Sequence, residues 1–162
     1  MEYHKRKHPR LKDFDYSTNG VYFITICTIE RQTMLCDIVG RDDPGTPYII
    51  QLTPEGKITD KYINSISTHY QNVSVDKYII MPDHIHLLLS ITGERRVESP
   101  RPTDISQIIG VLKRLINKDA GKNIFQTSFY DHIIRDENDY MIKWNYIENN
   151  PMKWVNKVGE HK

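Results

Sequence analysis

The sequence predicts a single α+β domain in which a mostly antiparallel sheet carries packed helices. Stretches rich in β-branched and aromatic residues alternate with stretches of helical periodicity, in the order β, β, α, β, β, α, β, α. The chain has 162 residues, an ordinary length for one domain with its own core. No repeat or low-complexity linker divides it, so we expect one domain over residues 1–162, with a basic N-terminal arm at residues 1–17.

Five segments rich in β-branched and aromatic residues predict strands, at residues 21–28, 48–52, 73–80, 84–91 and 129–134. The third and fourth segments are separated only by Met81, Pro82 and Asp83, and Pro82 has no backbone N–H to give to a ladder. We therefore expect these two strands to pair as a hairpin.

Two segments in the middle of the chain have the apolar spacing of amphipathic helices. Thr53 as N-cap and Pro54 at the first helical position predict a helix over residues 54–70. Thr103 and Asp104 open the next helix. Its apolar stripe consists of Ile105, Ile108, Ile109, Leu112, Leu115 and Ile116.

The last predicted helix follows the final strand. Asp136 is its N-cap, and Glu137 and Asp139 in the first turn suit the positive end of the helix dipole. The helix should end at Pro151, because a proline ring does not fit the interior of a helix.

Composition indicates a globular protein and gives no sign of a membrane span. Apolar residues make up 38% of the chain and charged residues 27%. No window approaches the roughly 18 consecutive apolar residues that a span requires. The N-terminus is polar and is followed by no apolar segment of signal-peptide type. We therefore expect a cytoplasmic protein that does not contact membranes.

The cysteines and the charge balance argue against further classes. Cys27 and Cys36 form no C-x-x-C pair, so neither a disulfide framework nor a thiolate zinc site is indicated. The formal net charge of +1 argues against a protein that coats nucleic acids non-specifically. A local basic patch nevertheless occupies the start of the chain, in Lys5, Arg6, Lys7, Arg10 and Lys12.

Two histidines interrupt the apolar strand at residues 84–91. Side chains alternate across a strand, so His84 and His86 project together from one face. The opposite face is uniformly apolar and must be buried; it consists of Ile85, Leu87, Leu89 and Ile91. The paired imidazoles could share one metal ion or one phosphate oxygen. Two histidines are too few for a closed structural zinc site, so a bound metal would keep positions open for a substrate.

The residues alone leave a third metal ligand open. The candidates are Asp83, His69, His132 and the amides of the segment YIENNP. In the last helix Tyr146 and Asn150 are four residues apart and lie on the same side. The main apolar stripe of that helix is formed by Tyr140, Trp144 and Ile147. A tyrosine and an amide thus share a face that is not the main core face.

Taken in order, these motifs carry a resemblance to a known family. A basic start is followed by GVYFITICT, then YIIMPDHIHLLL, then FYDHIIRDENDYMIKWNYIENNPMKW. This order resembles the single-tyrosine HUH transposases, and in particular the REP-associated tyrosine transposase (RAYT) branch, over residues 21–154. The resemblance implies a ferredoxin-like fold.

The resemblance also implies the roles of four residues. His84 and His86 correspond to the two histidines that bind a divalent ion, Mg²⁺ or Mn²⁺, and Asn150 to the third ligand. Tyr146 corresponds to the nucleophile of a DNA strand transferase that cuts single-stranded DNA through a 5′-phosphotyrosine intermediate. No G-x-x-x-x-G-K-[ST] loop is present, in agreement with a reaction that conserves the phosphodiester energy.

The RAYT branch further implies a DNA partner. Its members are similar in recognising imperfect hairpins with a short single-stranded flank, and the branch favours a monomer over a dimer. Candidates for phosphate contacts in this chain are Lys5, Arg6, Arg10, Lys113, Arg114 and Lys118.

Three other hypotheses use the same residues. A domesticated relative would bind DNA hairpins without cutting them. A metal-dependent phosphoesterase would use His84 and His86 with water as the nucleophile, and would tolerate Tyr146→Phe. In a plain α+β binding domain, the histidines would only pack.

Overall fold

The structure is a computed structural model that describes residues 19–40, 45–92 and 104–159. Within these residues the strands are β1 Gly20–Cys27, β2 Cys36–Val39, β3 Ile49–Leu52, β4 Val73–Ile80, β5 His84–Ile91 and β6 Tyr130–Ile133. The helices are α1 Pro54–His69, α2 Ile105–Ala120, α3 Glu137–Glu148 and α4 Asn150–Gly159. The basic arm predicted at residues 1–17 lies outside the described residues.

Four strands form the main sheet in the order β4-β5-β1-β6, and every neighbouring pair is antiparallel. The elements β1, α1, β4, β5, α2 and β6 follow the βαββαβ connection of the ferredoxin-like fold. A separate two-stranded sheet of β2 and β3 is inserted between β1 and α1. The predicted α+β class and the ferredoxin-like fold are therefore confirmed.

The helices begin where the sequence predicts their caps. Thr53 accepts a hydrogen bond from the backbone N–H of Gly56 at 3.0 Å, and Asp104 accepts one from Ser106 at 2.8 Å. Each cap satisfies one of the N–H groups that lack a partner within the helix, a contribution of about 1 kcal/mol. Thr103, predicted to share the opening of α2, lies outside the described residues.

The larger part of the core lies between one face of the sheet and helices α1 and α2. The apolar set predicted for β5 is buried there, with Ile85, Leu87 and Leu89 fully inaccessible. Burial of each such side chain stabilises the fold by about 1.5–3 kcal/mol. This face is the buried face that the alternation in residues 84–91 predicts.

The opposite face of the sheet is covered by α3. Phe23 of β1, Leu88 of β5 and Ile147 of α3 form a small second core there, against which Tyr140 and Trp144 pack. All eight residues of β5 are consequently buried. The face of the sheet that carries the histidines is therefore enclosed as well.

An irregularity in β4 fixes the position of α3. The ladder between β4 and β5 shifts register between Val75 and Lys77, which leaves Asp76 as an extra residue. The Asp76 carboxylate accepts hydrogen bonds from the Ser90 hydroxyl at 2.5 Å and from the Tyr140 hydroxyl at 3.1 Å. These two bonds connect α3 to the central strand beneath it.

One strand, one α-helix and the short 3₁₀ helix Ile29–Arg31 were not predicted. The strand β2 was missed; it pairs with β3 from Cys36 opposite Leu52 to Val39 opposite Ile49. The helix α4 was missed because Pro151 predicted the end of helical structure; α3 does end at Glu148, but Pro151 then lies in the first turn of a new helix. Proline is well tolerated at that position, because its missing N–H would have no helical partner there.

No helix among the described residues combines the length and the apolarity needed to cross a membrane.

Candidate active site

His84 and His86 lie on the face of β5 that α3 covers, as their spacing predicts. In the ladder with β1, His84 is opposite Cys27 and His86 is opposite Thr25. The two imidazole centroids are 4.6 Å apart, and the residues are only 8% and 4% exposed. Buried polar atoms usually have hydrogen-bond partners, and three of the four ring nitrogens have a polar atom within 3.3 Å.

The His84 ring lies between a carboxylate and an amide. Its Nδ1 is 2.6 Å from Asp83 Oδ1, and its Nε2 is 3.3 Å from Asn150 Oδ1. A carboxylate accepts, so the Nδ1 proton is donated to Asp83. In neutral His84 the Nε2 lone pair then faces the Asn150 oxygen, and two acceptors pointing at each other favour a cation between them.

The His86 ring has one partner and one unsatisfied nitrogen. Its Nδ1 is 2.8 Å from the Thr25 hydroxyl oxygen, and the ring stacks on Phe23 with the centroids 5.1 Å apart. Its Nε2 is buried and has no hydrogen-bond partner among the described residues. A buried imidazole nitrogen in this position, beside a second histidine, is chemically suited to bind a metal ion.

These atoms fit a divalent cation. Within the described ranges no group of three or more His, Cys, Asp or Glu side chains could hold a metal ion. The Asn150 amide oxygen is the side-chain oxygen that lies 3.3 Å from His84 Nε2. His84 Nε2, His86 Nε2 and Asn150 Oδ1 would supply two nitrogens and one oxygen, a set that leaves coordination positions open for substrate oxygens.

The other candidates for the third ligand have different positions. Asp83 contacts the Nδ1 side of His84, away from Asn150. His132 is 2.8 Å from an Asp139 oxygen through its Nε2. His69 is exposed in the last turn of α1, which packs on the other face of the sheet. The structure therefore brings Asn150 to the histidine pair, whereas His69 and His132 lie elsewhere.

Tyr146 of α3 stands at the edge of the same site. Its ring meets those of His86 and Phe23 edge-on, with centroid distances of 5.3 Å and 5.9 Å. The Lys153 ammonium lies 4.5 Å from the centroid of the Tyr146 ring. Tyr146 is 40% exposed, so its hydroxyl group can be reached by a large substrate.

Asn150 reaches the site across a break between two helices. The residue before it, Asn149, ends α3 with φ −90° and ψ 0°, and Asn150 is the first residue of α4. The Asn150 Nδ2 donates to the Tyr146 carbonyl at 3.3 Å. This bond retains the spacing of one helical turn between the two residues, so the shared side predicted from a continuous helix survives the break.

A cleft of about 390 Å³ surrounds these side chains. Its wall includes three cations that sequence reasoning did not select, Arg31, Lys153 and Lys157. Trp154 also lines the cleft, and its ring centroid is 6.3 Å from that of His84. The two lysines beyond Pro151 are spaced one helical turn apart, and this spacing could have indicated that they share a face. It was overlooked because the helix was expected to end at Pro151.

The predicted phosphate-contact residues are not in this wall. Lys5, Arg6 and Arg10 lie outside the described residues. Lys113 donates to the carbonyls of Gln126 and Ser128, at 2.8 Å and 2.9 Å. Arg114 and Lys118 are exposed on α2. Their roles in DNA binding remain predictions.

The environment of His86 keeps it neutral. Burial, and then repulsion from the charged form of His84, lowers the pKa of His86 to about 3. Neutral imidazole is the form that binds metal ions. At ordinary pH His86 is thus in the form that a metal ion would require of it.

The same shift predicts a pH dependence of stability. The unfolded chain protonates His86 near pH 6.5 but the folded chain does so only near pH 3, so this histidine removes stability as the pH falls between these values. In EDTA, we expect the unfolding free energy of wild type to decrease by up to about 1.4 kcal/mol per pH unit more steeply than that of His86→Gln. Denaturant titrations from pH 7 to 4 measure both slopes. The exposed-residue control His69→Gln should follow wild type, and equal slopes for wild type and His86→Gln would contradict the assignment.

Known proteins provide the comparison. No protein-family model matches the chain. A Haemophilus influenzae protein described as uncharacterized is 29% identical over 170 residues, which cover 93% of this chain and 91% of that protein. A second protein of that organism, provisionally named a REP-associated tyrosine transposase, is 27% identical over 147 residues, which cover 86% of this chain and 74% of that protein.

A solved structure has the same fold. It is the structure of a REP-associated tyrosine transposase bound to a REP hairpin, and it matches with a TM-score of 0.64 at 20% identity. The match covers 89% of this chain and 73% of the other. Together with the sequence relatives, it confirms the resemblance that the ordered motifs indicate: the chain is a relative of the REP-associated tyrosine transposases.

Proposed function

We propose that this protein is a transposase-like DNA strand transferase, which cuts single-stranded DNA beside a hairpin by forming a 5′-phosphotyrosine bond at Tyr146. One observation carries the proposal: the phenol ring of Tyr146 lies 5.3 Å from the ring of His86, in the cleft toward which His84 and Asn150 also point. A nucleophile and a candidate cation site thus share one substrate-sized space.

In the proposed reaction, the Tyr146 hydroxyl oxygen attacks a backbone phosphorus atom and loses its proton. A bond forms between this oxygen and phosphorus, and the bond between phosphorus and the 3′ oxygen breaks. The phosphate remains on Tyr146 at the 5′ end of one fragment, and the other fragment leaves with a free 3′-hydroxyl, whose oxygen takes up one proton, so that no net proton is gained or lost. Attack of a 3′-hydroxyl on the tyrosine ester reverses these bond changes and joins DNA.

Three residues would hold the cation: His84 and His86 through Nε2, and Asn150 through Oδ1. When bound there, Mg²⁺ or Mn²⁺ supplies Lewis-acid stabilisation of the charge that develops on the phosphate oxygens. The side chains of the protein do the positioning. The packing of Phe23 against the rings of His86 and Tyr146 keeps nucleophile and ligand in one geometry.

The DNA partner is proposed from the cleft and from the relatives. Arg31, Lys153 and Lys157 give the cleft a positive wall that suits phosphates, and Trp154 offers a ring for an unpaired base. The structural neighbour is bound to a REP hairpin, and we propose a hairpin with a single-stranded flank as the partner here. We propose a cytoplasmic monomer as the working form.

The direct test is a search for the covalent intermediate. The protein is incubated with Mn²⁺ or Mg²⁺ and with single-stranded DNA that carries hairpin elements from the genome of origin. A label on the fragment downstream of the cut should remain on the protein after denaturation, and a label on the upstream fragment should not. Cleaved but unattached fragments would instead indicate a phosphoesterase that uses water. Tight hairpin binding without any cleavage would favour the non-catalytic binding protein.

The positive wall makes a prediction about salt dependence. Lys157→Ala should reduce the slope of log affinity against log salt for single-stranded DNA by about 0.7, the value of one phosphate contact. Fluorescence anisotropy with a short oligonucleotide in EDTA measures this slope. Lys57→Ala, a change at an exposed lysine of α1 on the other face of the sheet, is the matched control and should leave the slope unchanged. A wild-type slope in Lys157→Ala would remove this residue from the DNA contacts.

A further inference from the structure

We propose that Asp83, held in place by Arg31, is the positioning residue that fixes the His84 imidazole with its Nε2 atom toward the cation site. This inference rests on the proposed function, because it concerns how a ligand of that site is oriented. Asp83 and Arg31 would act through His84 and would not contact the cation.

The first step is the contact between Asp83 and His84. The 2.6 Å separation of Asp83 Oδ1 and His84 Nδ1 is the short distance of a charge-assisted hydrogen bond. The Asp83 side chain is only 9% exposed, so little water competes for it. A neutral imidazole carries a single N–H. Holding that proton at Nδ1 leaves the lone pair on Nε2, the atom that faces Asn150.

The second step is the fixation of the carboxylate itself. Arg31 Nε lies 3.1 Å from the other Asp83 oxygen, Oδ2. The Asp83 backbone carbonyl accepts from the N–H of Thr28 at 2.9 Å and from its hydroxyl at 3.0 Å. Thr28 is fully buried. Both ends of Asp83 are therefore tied to the segment that follows β1.

The third step is the backbone conformation of that segment. Glu30 and Arg31 have φ values of 53° and 55°, in the left-handed region that is unfavourable for residues other than glycine. Arg31 also directs its Nη1 to the Cys27 sulfur at 2.7 Å, which fixes a second point of the guanidinium group. Two residues with a strained backbone thus lie in the turn whose arginine binds the Asp83 carboxylate, and this carboxylate contacts His84.

A second pair in the protein provides a matched comparison. His132 Nε2 is 2.8 Å from Asp139 Oδ2, so it has the same chemistry as the His84–Asp83 pair. It joins β6 to the first turn of α3 and is absent from the lining of the cleft. Changes at Asp139 therefore report what the loss of a histidine–carboxylate pair does by itself.

The test uses the full chain with labelled histidine. A two-bond proton–nitrogen correlation spectrum in EDTA shows which ring nitrogen carries the proton, and a titration with Mn²⁺ gives the affinity of the metal. In wild type we expect the His84 proton on Nδ1. In Asp83→Asn we expect the Nε2–H form to be populated and the Mn²⁺ affinity to fall about 10- to 100-fold. Asp139→Asn should change the spectrum of His132 only and keep the wild-type affinity.

Other results would contradict either the positioning role of Asp83 or the proposed cation site. Wild-type protonation of His84 and wild-type Mn²⁺ affinity in Asp83→Asn would overturn the inference, as would an equal loss of affinity in Asp139→Asn. If Asp83→Asn does not fold, Arg31→Lys replaces it, because lysine keeps the charge but lacks the Nε–H that faces Asp83. Unchanged affinity in Arg31→Lys would likewise overturn the inference. Unchanged affinity in His84→Ala would instead remove the proposed cation site.

Discussion

Tyr146→Phe should abolish the protein–DNA adduct while leaving the fold and the DNA affinity nearly intact. The change removes only the hydroxyl oxygen that forms the bond to phosphorus, so adduct formation should fall by more than about 10³-fold. The ring is retained, and with it the contacts to His86 and Phe23. Because Tyr146 is 40% exposed, the stability should change by no more than about 0.5 kcal/mol.

The measurement is a denaturing gel with labelled hairpin DNA, next to a binding titration of the same two proteins. Tyr130→Phe is the matched control, because Tyr130 lines the same cleft and is 42% exposed. It should form the adduct at the wild-type rate. An adduct that persists in Tyr146→Phe, or disappears in Tyr130→Phe alone, would transfer the role of nucleophile away from Tyr146.

His84→Ala should remove about half or more of the stabilisation that a divalent cation gives to the folded chain. At a Mn²⁺ concentration of 100 times the dissociation constant, wild type should gain about 2.7 kcal/mol, which corresponds to a rise of about 5–11 °C in Tm for a domain of this size. The substitution deletes one of the three donor atoms, and the carboxylate of Asp83 is then left without its imidazole partner. We expect less than a tenth of the wild-type affinity to remain.

Thermal unfolding with and without Mn²⁺ measures this effect, and the shift caused by the ion is compared within each variant. That comparison cancels the stability that His84→Ala loses through the deleted packing of a buried ring. His69→Ala, a change at an exposed histidine of α1, should keep the full shift. Equal shifts in wild type and His84→Ala would show that the ion binds elsewhere, and an absence of any shift would favour histidines that only pack.

The sequence predicts the part of this site that depends on local periodicity. The alternation of β5 places His84 and His86 on one face whatever the neighbouring strands are, because the apolar set can only be buried on the other. The one-turn spacing between Tyr146 and Asn150 is local in the same way. That these two pairs meet was implied by the resemblance, and the contact between His84 Nε2 and Asn150 Oδ1 spans 66 residues of sequence.

The remaining parts of the site depend on contacts that leave no local signal. Arg31 meets Asp83 across 52 positions, and nothing in the ordinary sequence around Arg31 indicates its left-handed backbone. The lysines of α4 were missed for a different reason. A proline has opposite meanings inside a helix and at its start, and the position of Pro151 relative to the break at Asn149 decides which one applies.

The histidines of the site are buried whereas Tyr146 is exposed, and this difference decides which mutations such proteins can tolerate. The histidines belong to the core strand, so mutations there endanger folding, whereas Tyr146 sits at the rim and can be exchanged almost without penalty. Under the proposed function, variants substituted at Tyr146 would still bind DNA but would no longer cut it. A single substitution at the rim of the site would thus, under this proposed function, separate the cutting of DNA from its binding.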